Sequence, residues 1–347
     1  MKNKMNSKIS LMAKETAETP AVISRQLRAN REVLEDLAHK IRDRKFRFIA
    51  TCARGSSDHA CAFAKYILEI GLGLPVVSFA PSVSTLYGGT VNMRDSLFIA
   101  VSQSGRSPDL VQATQAAKDQ GAFVLCICND ASAPLAALAD CFLPLHAGPE
   151  NSVAATKSYI ASLTALLQLA AIWNYDSGLL PALDRLPDQL ERGLKADWSE
   201  PVELLVSSSN LFTVGRGPGF GIALESALKF KETSYIHAEA FSAAEVKHGP
   251  MSLVADGYPV LLFRQRDQSW DSVGELAANF REKGGAVFTA QEGEARKGIL
   301  KIESNIHPFC QLPVMIQSFY VMAENITQLR GLDPDNPRHL KKVTETV

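Results

Sequence analysis

The feature that most limits what this chain can fold into is that it runs one pattern twice. Residues 45–68 (KFRFIATCARGSSDHACAFAKYIL) and 209–230 (SNLFTVGRGPGFGIALESALKF) each read as an apolar strand, an Arg-Gly turn and an apolar helix, with Arg54 and Arg216 in register. Farther along, SLFIAVSQSGRS (96–107) is matched by PVLLFRQRDQSW (259–270), and KDQGAFVLCI (118–127) by EKGGAVFTAQ (282–291). Two shared features arise by chance in any α/β chain. Four in the same order predict a duplicated domain.

Within the first copy, strands are expected over 46–52, 76–78, 96–101 and 122–128. Helical runs lie between them, one over 59–70 and another starting at Pro108. Short apolar strands alternating with helices of 10–15 residues predict βαβ units and a parallel sheet. Before the first strand the chain reads as polar helix, with apolar spacing after Pro20. The expected division is a helical segment over 1–35, a first domain over 36–178, a second over 198–337 and a tail over 338–347. The link, about 175–200, is more polar and carries Gly178, Pro181 and Pro187.

A chain of 347 residues is long enough for two ordinary cores. Its formal net charge of −1 offers no electrostatic footprint for nucleic acid or an anionic membrane. The most apolar stretch, 159–173, is broken by Gln168 and falls short of the ~20 residues a bilayer needs, so it reads as a buried helix. The N-terminus has no apolar core of signal-peptide length. The six cysteines form no CxxC pair and read as buried thiols, which places the chain in a reducing cytoplasm.

Ligands of parallel sheets bind beyond the carboxyl ends of the strands. After the 96–101 strand comes Ser102-Gln103-Ser104-Gly105-Arg106-Ser107-Pro108. Gly105 permits a tight turn, Ser107 suits the N-cap and Pro108 the first helical position. Hydroxyls and free amides at a helix start make a phosphate site without a lysine, and three serines and a glutamine favour that over a plain cap. The neighbouring strand end, Arg54-Gly55-Ser56-Ser57-Asp58-His59, is balanced between a cap and further ligands. The 147–157 segment leads into the apolar helix, with Thr156 and Lys157 either a capped, solvated helix start or contacts to substrate.

The second half holds the acid–base candidates: Glu225, Lys229, Lys231, Glu232, His237, Glu239, Glu245, Lys247 and His248. Glu225, Lys229 and Glu232 fall at i, i+4 and i+7 on an otherwise apolar helix, so the stripe is expected to face a site rather than solvent. Moving a proton between adjacent carbons requires a carboxylate over the carbon chain and an acid or base at the ring oxygen, for which Glu232 and His248 are suited. His237 and Glu239 have no companions at ligand spacing, so no metal is expected.

The runs SQSGRSPDL, AGPENSVAATKSYI, GRGPGFGIALESALKFKETSYIHAEAFSAAEVKHGP and DPDNPRHLKKVTETV closely resemble the isomerase half of glucosamine-6-phosphate synthase (glutamine–fructose-6-phosphate aminotransferase), within the SIS, or sugar isomerase, family. The resemblance spans roughly residues 45–347. It implies an α/β fold of two tandem SIS domains, each a flavodoxin-like parallel sheet flanked by helices. It implies phosphate binding by Ser102, Gln103, Ser104 and Ser107, and sugar contact by Ser57, with Gly55, Ser56, Val153, Ala154 and Lys229 completing the substrate-binding set. Glu232 would shuttle the C1–C2 proton, and His248 would open the ring from the neighbouring subunit of a homodimer. Lys342 would reach the open-chain carbonyl.

The chain departs from the family at Ala155, where a sugar-contacting serine is usual, and in the surroundings of Lys342. It also lacks the family's amidotransferase half, so glutamine-dependent synthesis is not expected. The KVTET tail resembles stand-alone amino-sugar phosphate deaminases. The resulting expectation is a cofactor-free enzyme converting glucosamine 6-phosphate and water to fructose 6-phosphate and ammonia. Competing readings are a galactosamine 6-phosphate deaminase, a deglycase of fructosamine phosphates and a silent sugar-phosphate sensor. The sensor predicts loss of the acid–base set, which is present.

Overall fold

The structure, a computed structural model, describes residues 9–174 and 178–342. Its first sheet contains β1 (Phe48–Cys52), β2 (Val76–Ser78), β3 (Ser96–Ser102), β4 (Phe123–Cys128) and β5 (Cys141–Pro144). The second contains β6 (Asn210–Gly215), β7 (His237–Ser242), β8 (Pro259–Arg264), β9 (Ala286–Glu292) and β10 (Ile299–Ile302). The first is ordered β2-β1-β3-β4-β5 and the second β10-β9-β8-β6-β7, so each follows the same path read from its β2 or β7 edge. All pairings are parallel. Two five-stranded α/β sheets flanked by helices, in the flavodoxin-like order, are the tandem SIS architecture expected from the sequence.

The apolar strands explain why these sheets are parallel and covered. Every residue of β3 and β4 is buried, as strands sandwiched between helices must be. One continuous core runs from Met12 through Phe63, Leu166 and Ile222 to Phe319 and Ile326, so the two halves share their apolar interior. Smaller clusters cover the other face of each sheet.

The expected elements shift in three places. The N-terminal helix spans Leu11–Ala29 and passes through Pro20, and a second helix, Arg31–Arg42, crosses the expected boundary at 35/36. The polar link is largely helix: Leu179–Gly193 buries Leu183, Leu186 and Leu190 and carries Pro187 within it. Apolar residues at helical spacing outweigh the local cost of that proline. Residues 175–177, 1–8 and 343–347 lie outside the described residues.

The Lys157–Asn174 helix is buried over residues 157–171, as expected of the apolar 159–173 stretch, and no helix among the described residues is long and apolar enough to cross a membrane. All six cysteines are buried.

Candidate active site

The carboxyl ends of β1 and β3 lie side by side because the two strands pair, with Cys52 opposite Ala100. The turns that follow them open onto a cleft of about 340 Å³, a size suited to a small metabolite. In the turn after β3, Ser102 Oγ accepts the Gly105 N–H at 3.0 Å and Ser104 Oγ accepts the Arg106 N–H at 3.3 Å. Gly105 sits at φ +65°, and a Cβ there would come within 2.7 Å of the Ala133 Cβ, so the turn needs glycine.

Ser107 occupies the N-cap of the Pro108–Asp119 helix, yet its side chain makes no capping bond. Ser107 lines the cleft, together with Ser102, Gln103 and Ser104. Gly55, Ser56 and Ser57, from the turn after β1, line the same cleft. In the second sheet the matching turn engages its own side chains and the neighbouring turn after β6. Gln265 Nε2 donates to the Arg216 carbonyl and the Asp267 carboxylate, both at 2.9 Å, and to Ser269 Oγ at 3.2 Å.

Acid–base groups reach the cleft from the Gly219–Lys229 helix of the other half. At Phe230–Ser234 this helix widens into a π-helical turn, which ends at Tyr235 with a left-handed φ of 53°. Glu232 lies on that turn. Lys229 Nζ stands 2.6 Å from Glu232 Oε2, 3.2 Å from Glu225 Oε1 and 3.0 Å from Ser56 Oγ.

Glu225 is fully buried and also accepts from Ser56 Oγ at 3.1 Å and Tyr320 OH at 3.0 Å, with His59 Nδ1 at 3.0 Å. Burial pushes the Glu225 carboxyl up, but Lys229, His59 and Ser56 outweigh it and hold it below the ordinary carboxylate range. Burial pulls the Lys229 ammonium down, and the two carboxylates more than reverse this, leaving it above the ordinary range. Lys229 and Glu232 line the cleft, whereas Glu225 stands behind them.

The 147–157 segment forms the rim. Glu150 is buried and accepts the Thr156 and Ser158 N–H groups at 3.1 Å as well as the Ser158 hydroxyl. Lys157, only 1% exposed, is bonded to Glu18 at 2.5 Å and to the Pro149 carbonyl at 2.6 Å. It is therefore neither solvated nor in the cleft. Val153 and Ala155 line the cleft, whereas Ala154 is buried and does not. Lys342, the last described residue, donates to the Ser152 carbonyl at 2.7 Å and lies 3.6 Å from Glu150 Oε2. Leu340, Lys341 and Lys342 thereby close one side of the cleft.

Of the residues singled out from sequence, Gly55, Ser56, Ser57, Ser102, Gln103, Ser104, Ser107, Val153, Lys229, Glu232 and Lys342 meet around one space. His248 does not. It is exposed in the short Glu245–His248 turn, outside the cleft of its own chain. Lys231, His237, Glu239, Glu245 and Lys247 are likewise exposed and away from the cleft.

Three contributors, His59, Arg54 and Tyr320, lie outside the site set expected from sequence, although the first two sit in the Arg54-to-His59 strand-end run that the sequence singled out. His59 supports Glu225 from the first half, and Arg54 lines the cleft while paired with Asp109 at 2.8 Å. Arg54 was visible in the Arg-Gly register of the two copies, but nothing local in His59 or Tyr320 announces their distant partner. Among the described residues no group of three or more His, Cys, Asp or Glu side chains is arranged to hold a metal ion.

Comparison with known proteins identifies the family and the fold. The model of the SIS domain matches residues 40–172 and 204–291. The glutamine–fructose-6-phosphate aminotransferase (isomerizing) of Thermococcus kodakarensis is 33% identical over 346 residues, covering 95% of this chain and 57% of that protein. That of Aquifex aeolicus is 33% identical, covering 97% and 57%. The chain thus spans little more than half the length of these relatives.

Among solved structures, a candidate phosphosugar isomerase from Silicibacter pomeroyi superposes with a TM-score of 0.89 at 41% identity, covering 94% of this chain and all of that one. The C-terminal domain of glucosamine-fructose-6-phosphate aminotransferase from Francisella tularensis gives 0.85 at 26% identity, covering 96% and 100%.

Proposed function

This chain belongs to the SIS domain family, and on that premise we propose that it is an isomerising deaminase of an amino-sugar phosphate, turning glucosamine 6-phosphate and water into fructose 6-phosphate and ammonia. The observation that carries this reading is a carboxylate, Glu232, held 2.6 Å from a buried ammonium in the same cleft as a hydroxyl-lined helix start. The 6-phosphate docks on Ser102, Ser104 and Ser107 and the adjacent amides, so binding energy far from the reacting carbons positions the chain. Glu232 takes the C2 proton and returns it at C1, converting the aldose amine to a ketose imine. Water adds to that imine and ammonia leaves.

Lys229 sits where it keeps Glu232 aimed, and its neighbours keep it cationic. Lys342 stands at the rim, where an open-chain carbonyl lies within reach. All six cysteines are buried, and burial pushes the Cys52 thiol, nearest the cleft in sequence, up to about 12. The proposal includes a homodimer, because ring opening falls to His248 and each chain leaves its own His248 outside its cleft.

The test is ammonia release over a panel of glucosamine 6-phosphate, galactosamine 6-phosphate and a fructosamine phosphate. Glucosamine 6-phosphate should be the preferred substrate. Glu232→Gln should still bind sugar phosphate while turnover falls by about 10²-fold or more. Turnover at the wild-type rate in that variant removes Glu232 from its role and the mechanism with it.

A further inference from the structure

We infer that Arg54 is the cationic ligand of the substrate phosphate and selects for a dianionic phosphate monoester at that end of the cleft; this rests on the sugar-phosphate reading above. The hydroxyls of the turn are neutral, and its one cation, Arg106, is paired with Asp130 at 2.7 Å and does not line the cleft, so a dianion docked there gains from a further counter-charge. Of the other three cations of the cleft, Lys341 is an exposed lysine of the tail rather than of the turns after β1 and β3, and the remaining two are already engaged. Lys229 is buried between two carboxylates, and Lys342 is tied to a carbonyl beside buried Glu150.

Arg54 differs from both. Its side chain is about half exposed, at 49%, and lines the cleft. It gives only Nε to Asp109 Oδ2, at 2.8 Å, and neither η nitrogen has a protein partner among the described residues. Asp109 is a fixed post: its side chain is 2% exposed and its other oxygen accepts the Leu110 N–H at 2.9 Å.

Because Asp109 lies two positions beyond Ser107, in the first turn of the Pro108–Asp119 helix, the guanidinium is anchored beside the helix start that carries the hydroxyls. A planar group held by one edge presents its remaining two nitrogens as a fork, the geometry that suits phosphate oxygens. The pairing also settles an electrostatic conflict. An unneutralised Asp109 carboxylate at that helix start would repel the anion the hydroxyls are placed to receive, and Arg54 removes that repulsion.

Calorimetric titration of wild type, Arg54→Met and Arg54→Lys with fructose 6-phosphate and with inorganic phosphate tests this. Arg54→Met should weaken both ligands by about tenfold to a hundredfold, as loss of a charge-assisted contact does. Arg54→Lys should weaken both by a smaller factor, because an ammonium keeps the charge without the fork. Inorganic phosphate separates this role from one at the sugar or in folding, since it reports only on the phosphate position.

If wild type binds both ligands and folded Arg54→Met binds them equally well, the assignment of Arg54 fails and the sugar-phosphate reading stands. Should Arg54→Met not fold, Arg54→Lys decides: wild-type affinity for both ligands overturns the assignment. Wild type that binds neither ligand overturns both readings.

Discussion

Lys229 shows how a single charge can serve both folding and chemistry. It is 1% exposed, and it neutralises Glu225 behind it while fixing Glu232 in front. Replacing it with methionine strands a buried carboxylate, and breaking such a pair costs about 3–5 kcal/mol. Urea unfolding should show that loss near neutral pH. The cost should depend on pH. Glu225 is held below its ordinary 4.5, so the pair's contribution is complete above that value and is lost as pH falls through the lower folded value. Lys229 is held above its ordinary 10.5, so its contribution is complete below 10.5 and is lost as pH climbs beyond. The gap between wild type and Lys229→Met should therefore be widest between these limits and narrow as Glu225 protonates. A gap that stays constant into acid would place the cost in packing.

At the scale of elements, the site depends on two irregular pieces of backbone. The first is the turn after β3, where Gly105→Ala demands a strained φ and a 2.7 Å approach to Ala133. It should cost about 1–3 kcal/mol and loosen sugar-phosphate binding, read by urea midpoint and titration. The turn was legible in the sequence because Gly, Pro and Ser act locally. The family resemblance placed Ser107 at the cleft, but that its side chain would leave the helix cap unbonded was not legible locally.

The second piece is the π-helical turn carrying Glu232. The i, i+4, i+7 spacing correctly placed Glu225, Lys229 and Glu232 together. It gave no sign that the helix widens, or that Lys229 would lie buried between the two carboxylates. Lys157 illustrates the opposite error. A lysine at a helix start reads as solvated until a distant helix supplies Glu18.

At the scale of the molecule, the duplicated pattern made the two sheets legible early, because strand order follows from parallel βαβ units. How the halves face each other was not legible. It depends on contacts such as His59 and Tyr320 with Glu225, and the Tyr159 hydroxyl with the Gly221 carbonyl at 3.1 Å. The exposed position of His248 leads to a test of the assembly. Mixing and exchanging inactive Glu232→Gln and His248→Ala proteins should restore about a quarter of wild-type ammonia release, since half the dimers would hold one intact site. No recovery after demonstrated exchange would confine each site to one chain.

The hydroxyl turn belongs to one half of the chain and Glu232 to the other. Between them Gly221 packs so tightly that a Cβ would come within 2.7 Å of Phe63. The span from grip to reaction point is consequently set by the protein, and the cleft acts as a gauge. On the function proposed above, a sugar held by its phosphate but one carbon shorter should present its reactive end short of Glu232, so ligands would be sorted by length before any chemistry begins.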